Sequence, residues 1–219
     1  MTNLSKRLEC IASFIQKDDK VIDVGCDHGY LSIYLAKTKQ CSDIIASDVN
    51  QNALNNAISN IKKEKLNKII KTTLSDGLKQ IDVIYYDTLI ISGMGTNTIL
   101  NILNDKEKLA SIKKIIIQSN NDHYLLRKEM KKRGFFIEQE KIIFDRKYYI
   151  VICFKKGYKN YSNIELKYGP YLIHEKSNKE YFKYLHDKKL LIYNKIPHNK
   201  LILRLKMNRE LKIIKKIIL

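Results

Sequence analysis

The chain has 219 residues, 44% of them hydrophobic, and a formal net charge of +18. That hydrophobic share excludes a disordered chain, and the length suits one sizeable domain plus an appendage. No apolar run is long enough to span a bilayer, and the opening Met1–Arg7 leads into an amphipathic segment instead of a signal-peptide core, so a soluble cytoplasmic protein is expected.

Leu4, Leu8, Ile11, Ala12 and Ile15 recur at helical spacing, so the chain is expected to open with a helix. Next comes Val21-Ile-Asp-Val-Gly-Cys-Asp-His-Gly-Tyr30: an apolar run ending at Asp23, glycines at 25 and 29, then an amphipathic segment from Leu31 to Ala36. This spacing predicts strand, tight turn and helix, the arrangement that lets a ligand approach backbone at the mouth of a parallel sheet. Further strands are predicted at 44–47, 69–73, 88–92 and 114–118, with helices at 51–65, 97–103 and 124–133 between them. Short apolar strands alternating with helices mean an α/β fold, a Rossmann-like sheet covered on both faces. After Gly134, the β-rich runs 135–143 and 148–154 are separated only by Phe-Asp-Arg-Lys, which predicts an antiparallel hairpin at the sheet edge.

From Lys155 the chain turns polar and linker-like, and helices are predicted at 178–195 and 198–218 around Pro197. Leu203, Met207, Leu211, Ile214 and Ile218 would form the seam of a coiled-coil-like helical hairpin. Two domains follow, 1–156 and 157–219. Residues 155–219 hold 17 Lys and Arg against 5 Asp and Glu, two thirds of the excess positive charge. AT-rich codon usage would inflate lysine everywhere; concentration in one segment points to a basic platform for a polyanion. Cys10, Cys26, Cys41 and Cys153 are scattered, which supports neither a disulfide framework nor a metal site.

The first turn is Asp-x-Gly-x-x-x-Gly, not the Gly-x-Gly-x-x-Gly of dinucleotide sites. An acid on the strand just before it suits an amine-bearing ligand better than a pyrophosphate. S-adenosylmethionine is such a ligand, with an ammonium, a sulfonium and no phosphate. Asp48 ends the second strand where it could bind a ribose diol, or cap the next helix. Ser75-Asp76-Gly77 follows the third strand, where a carboxylate could accept from an adenine amino group, or simply form a turn. Ser92-Gly93-Met94-Gly95 follows the fourth. Four such sites at successive strand ends coincide with the place where open α/β sheets bind ligands.

Ser5-Lys6-Arg7-Leu8, Asp23-Val-Gly-Cys-Asp-His-Gly-Tyr-Leu31, Ser75-Asp-Gly77, Ile91-Ser-Gly-Met-Gly95, Gln118-Ser-Asn120 and Gly169-Pro-Tyr171 resemble the bacterial tRNA adenine-22 N1-methyltransferases, TrmK, over nearly the whole chain. The resemblance implies a class I methyltransferase with a coiled-coil-like C-terminal domain that methylates N1 of an adenine in tRNA. Cofactor contacts are then expected from Asp23, Gly25, Cys26, Asp27, His28, Gly29, Asp48, Val49, Ser75, Asp76, Gly77, Ser92, Gly93 and Met94. Contacts to tRNA are expected from Arg7, Tyr30, Gly95, Lys183, Lys188, Arg204 and Arg209. Three positions depart from the family pattern: Ser119 stands for its usual proline, Thr96 for a glycine and Asp48 for a glutamate. The absent proline is expected to loosen the loop that holds Asn120.

The N1 lone pair of neutral adenine can attack a sulfonium methyl directly, so catalysis should rest on alignment and on stabilising charge in the purine. Asp27 is expected to accept from the adenine N6 amino group, His28 to orient the base or touch the cofactor, and Asn120 to hold the base edge. Their bland alternatives are turn-forming and capping roles; for Tyr30, a stacking platform, it is ordinary helix packing. No metal and no membrane partner are expected, and the chain is expected to act as a monomer. The competing readings are a methyltransferase for another RNA position, a protein or a small molecule, and a noncatalytic RNA-binding module of this fold.

Overall fold

A computed structural model describes residues 4–39 and 41–219; residues 1–3 of the opening segment lie outside the described residues. The apolar runs become strands because each is sealed on both faces. All four residues of β1 (Val21–Val24) and all six of β5 (Lys114–Ser119) are buried. With β2 (Ile44–Asp48), β3 (Ile70–Leu74) and β4 (Thr88–Met94) they form five parallel strands. The antiparallel pair β6 (Phe135–Asp145) and β7 (Lys147–Lys156) completes a seven-stranded sheet, ordered β3-β2-β1-β4-β5-β7-β6. The edge hairpin thus joins the sheet through β7, and its strands run further than their apolar patterns, leaving only Arg146 between them.

Alternation along the strands sorts side chains into two cores. Val21, Ala46, Ile90 and Ile116 face α1 (Lys6–Ala12), α2 (Tyr30–Thr38) and α3 (Gln51–Lys63). Ile22, Val24, Ile91 and Ile117 face α4 (Thr96–Ile102) and α5 (His123–Lys132). α1 stops at Ala12, before Ile15, yet Ile15 is buried in the core that the helix serves.

The second core does not end with the sheet. Tyr168, Leu172, Phe182 and Ile214 belong to it, so the C-terminal segment is packed onto the α5 face. The polar stretch after β7 contains a short helix, α6 (Asn163–Tyr168), opened by a capping box in which Ser162 and Glu165 satisfy each other's backbone N–H. Beneath it Arg127 of α5 donates to Glu140 of β6 at 2.6 Å, with both side chains fully buried. Gly169 has φ +95, and a Cβ there would stand 2.6 Å from the Glu140 carboxylate, so the Gly-Pro-Tyr turn exists where the chain crosses this pair.

The last helices, α7 (Lys179–Lys195) and α8 (Leu201–Ile218), form the expected hairpin. Its seam is shorter than its sequence pattern. Leu211 and Ile214 are buried, whereas Leu203 is 49% exposed, because beyond Met207 the hairpin projects as two helices with no third layer above them. None of the described helices is long and apolar enough to cross a membrane.

Candidate active site

The first loop leaves β1 at its carboxyl end and is shaped by glycine. Gly25 has φ +77, and a Cβ there would overlap Met94 Cε. Asp23 lies in the strand below, 3% exposed, accepting from Ser32 Oγ of α2 at 2.8 Å. Burial pushes its carboxyl up to about 6, against the opposing Ser32 bond. Burial also holds the Cys26 thiol protonated, which removes it as a nucleophile. Gly29 faces away from the ligand space: its added Cβ would stand 3.2 Å from Ala57, so it serves the close approach of α2 and α3.

Asp27 occupies a left-handed conformation (φ +51) with its side chain in solvent. Its backbone N–H donates to Asp48 Oδ2 at 3.1 Å, while Asp48 Oδ1 accepts from Asn50 N–H at 2.9 Å. Asp48 does not cap α3; Asn50 does, through Asn52 and Ala53. His28 and Tyr30 stack with ring centroids 5.4 Å apart, and Tyr30 keeps 41% of its surface exposed at the start of α2.

Gln118, fully buried at the end of β5, organises the opposite side. Its Oε1 accepts from Arg7 Nη1 at 2.9 Å and Gly93 N–H at 3.1 Å, and its Nε2 donates to Asn120 Oδ1 at 3.2 Å. Asn120 Nδ2 then donates to the Gly93 carbonyl at 2.7 Å. The loop is therefore pinned without its proline. Two of the departures from the family pattern meet in space: Thr96 Oγ1 and Ser119 Oγ lie 2.7 Å apart, so that one donates to the other and the remaining hydroxyl donates to the Asn121 carbonyl, which is 2.6 Å from Thr96 Oγ1 and 2.9 Å from Ser119 Oγ. Hydrogen bonds do here what ring rigidity would do.

Between these walls lies a cavity of about 1250 Å³ at the carboxyl ends of the parallel strands, roomier than the ~300–1,000 Å³ of common small-ligand sites. It gathers Asp23, Gly25, Cys26, Asp27, His28, Tyr30, Asp48, Val49, Ser75, Asp76, Gly77, Ser92, Gly93, Met94 and Arg7. Gly29, Gly95 and Asn120 lie outside its wall. Gly95 is instead the N-cap of α4. The hairpin residues Lys183, Lys188, Arg204 and Arg209 do not line it, and Arg204 is committed to the Ile196 carbonyl at 2.7 Å and to the Tyr193 ring. Absent from the sequence reading were Asn56 of α3 and Asn101 of α4, which also line the cavity. Asparagines recurring on helices that otherwise pack apolar faces were the available signal.

The charge inside the cavity is opposite to that of the chain. Asp23, Asp27, Asp48, Asp76 and Asp105 line it against Arg7 and Lys79, and Lys79 is paired to Asp76 at 2.5 Å. A pyrophosphate would be repelled there. The carboxylates of Asp23 and Asp48, the latter with lone pairs free, and the open backbone at Gly77 and Gly93 fit the ammonium, the ribose diol and the flat base of S-adenosylmethionine.

The family described as a methyltransferase domain matches residues 4–152. A Bacillus subtilis protein named tRNA (adenine(22)-N(1))-methyltransferase is 31% identical over 182 residues, 80% of this chain and 76% of that one. The chain belongs to this methyltransferase family. Likeness of structure extends through the helical hairpin. The M. capricolum TrmK, solved with S-adenosyl-homocysteine, superposes with a TM-score of 0.86 at 32% identity, covering 98% of this chain and 97% of that one. The B. subtilis TrmK structure gives 0.87 at 25% identity with both chains fully covered. The buried Arg127–Glu140 crossing and the Gln118 hub are thus parts of a TrmK fold whose C-terminal hairpin is built into the core.

Proposed function

We propose that this methyltransferase transfers a methyl group from S-adenosylmethionine to N1 of adenine 22 in tRNA. The observation that carries the reading is an anionic, phosphate-rejecting cavity at the strand ends of a strongly cationic chain, opening onto exposed Asp27 and Tyr30 with half-buried His28 between them. When bound, S-adenosylmethionine supplies an electrophilic methyl that the N1 lone pair of a neutral adenine can take without a base.

The residues then have distinct tasks. Asp23 receives the ammonium, Asp48 the ribose diol, and Asp76 with Gly77 the cofactor's adenine. Tyr30, already stacked on His28, offers its free face to the target base. Asp27 accepts from N6 of that base and favours the positive charge the ring acquires on methylation. Asn120 acts at one remove, holding the Gly93 carbonyl and with it the floor beneath the base. Extruding a stacked adenine costs a few kcal/mol, and contacts from the basic segment 157–219 to the phosphate backbone offset it. tRNA as substrate fits a cytoplasmic place of action. Severing that segment at Phe154 is no test of its role, because the cut removes the end of β7 and strips Phe182 and Ile214 from the shared core.

The test of the activity is incubation of the full chain with labelled S-adenosylmethionine and unmodified tRNA, followed by mapping of the methylated nucleoside. Cofactor binding without any labelled tRNA would assign the chain to a different acceptor.

Asp23 supplies a pH dependence. Its carboxyl is raised in the fold, so the native state holds a proton that the unfolded chain has already released. The stability from that proton is present below the ordinary carboxylate pKa and is lost as pH rises through about 6. An ammonium ligand needs the ionised form. Cofactor Kd is therefore expected to be flat above pH 7 and to rise about tenfold per unit below about 6. Asp23→Asn keeps an acceptor for Ser32; at pH 7.5 it should melt no lower than the wild type in the absence of cofactor yet bind cofactor at least tenfold more weakly. Equal affinity of the two proteins in calorimetry would remove Asp23 from the ammonium site.

A further inference from the structure

The edge ribbon overshoots the sheet. β7 leaves β5 at the pair Gln118–Val151, but its ladder with β6 continues through Ile142–Ile150, Ile143–Tyr149 and Phe144–Tyr148 to Asp145–Lys147. Four residues at ~3.3 Å each lift the tip ~13 Å above the carboxyl edge of the parallel strands, the edge that holds the cavity. A bare two-stranded ribbon is marginal in water, and this one is braced on both faces. On one, Phe144 and Tyr148 meet edge to face at 5.0 Å, and Tyr148 contacts Tyr181 and Tyr184 of α7 at 5.3 and 5.2 Å. On the other, the Tyr149 ring lies 5.7 Å from the Arg7 guanidinium and 5.0 Å from Lys147 Nζ. Because Arg7 also lines the cavity, the ribbon joins the cavity rim to the basic hairpin, where Lys188 sits over Tyr184.

Bracing accounts for only part of this strip. Phe144 stays 56% exposed and Tyr184 47%. Arg146 and Lys147 are exposed at the tip and make no ion pair among the described residues. Aromatic faces left open beside unpaired cations are the composition of a surface for unstacked nucleic acid, where any base can stack and phosphates are neutralised. We propose that the tip of the β6–β7 ribbon is a separate tRNA contact, with Arg146 and Lys147 on the phosphates flanking the extruded adenine and Phe144 and Tyr184 against a neighbouring base. This rests on the proposed function and adds the surface that presents the target strand to the cavity.

The full chain is compared with the double variant Arg146→Ala/Lys147→Ala and with Phe144→Ala, on an unmodified tRNA transcript across a salt series. For the double variant, KM for tRNA is expected to rise about tenfold, with the slope of log affinity on log salt falling by about 1 to 2 as phosphate contacts are lost. Phe144→Ala is expected to lower kcat/KM for tRNA about tenfold through lost stacking, and Phe144→Tyr to restore it. S-adenosylmethionine affinity should not change in any of them. If Phe144→Ala or the double variant also lowers the melting temperature, Arg146→Ala alone decides by the same readouts, since Arg146 is exposed at the tip while Lys147 braces the Tyr149 ring. A double variant with wild-type tRNA KM and salt slope would overturn the ribbon contact while leaving the methyltransferase reading intact. A wild-type chain that binds cofactor and labels no tRNA would overturn that reading, and the ribbon contact with it.

Discussion

Asp27→Asn is expected to lower kcat for tRNA methylation about 100- to 1,000-fold, the range seen when one preorganised electrostatic contact to developing charge is removed, with cofactor affinity nearly unchanged. Asparagine is the informative replacement because position 27 has φ +51, a region asparagine tolerates and alanine enters only with strain. It also leaves in place the backbone N–H that donates to Asp48 Oδ2 at 3.1 Å, so Asp48 keeps its orientation. The substitution therefore deletes a charge and little else. The introduced amide could still face N6 of adenine with its carbonyl, but it would not offset the positive charge that forms on the ring at N1 attack. Single-turnover kinetics with calorimetry of cofactor binding separate the two effects. A kcat within tenfold of wild type would leave alignment alone as the source of the rate, and Tyr30 and the Asn120–Gly93 floor as its providers.

Arg127→Ala should cost the fold about 3 to 5 kcal/mol, the range for breaking a buried ion pair from one side. At ~2–4 °C per kcal/mol for a chain of this size, the melting temperature falls by about 10 °C. Arg127 and Glu140 are 1% and 6% exposed, and the guanidinium also donates to the Leu166 carbonyl at 3.1 Å. Glu140 in turn accepts from Tyr171 N–H at 3.4 Å. Burial pushes the Glu140 carboxyl up, and the Arg127 charge opposes that shift. Without Arg127 the native state would favour protonated Glu140, so the variant's deficit should be smaller at pH 5 than at pH 8. Arg127→Met with Glu140→Leu, which removes both charges, should recover most of the loss. If the double variant were no better than the single one, the stabilisation would lie in the Leu166 and Tyr171 backbone bonds and not in the charge pair.

The parallel strands and the helices between them were legible because their burial is written locally: both faces covered means continuous apolar runs, and one face covered means helical spacing. The same holds for the placement of Asp23, Gly25, Asp48 and Asp76, which stand at or just past the carboxyl ends of successive strands. Boundaries failed where an end is set by partners elsewhere. The ribbon runs to Lys147 because α1 and α7 brace it, although its outer residues alternate poorly. α6 looks like linker in sequence despite the Ser162–Glu165 capping box, since its six residues carry almost no periodicity. Leu203 fits the seam by spacing yet stays exposed, because the heptad-like pattern continues past the point where a third layer stops.

The sheet, the glycine turn and the series of carboxylates could thus be read from the chain alone, since all of them depend on neighbours within a few residues. It took the folded molecule to show that Gln118 fastens Arg7, Gly93 and Asn120, that Thr96 and Ser119 replace a missing ring with a hydrogen bond, and that Arg127 and Glu140 fasten α6 and the Gly-Pro-Tyr turn to the sheet. Most of these contacts join residues more than a dozen positions apart, and chain spacing carries no record of which distant polar groups will be buried together.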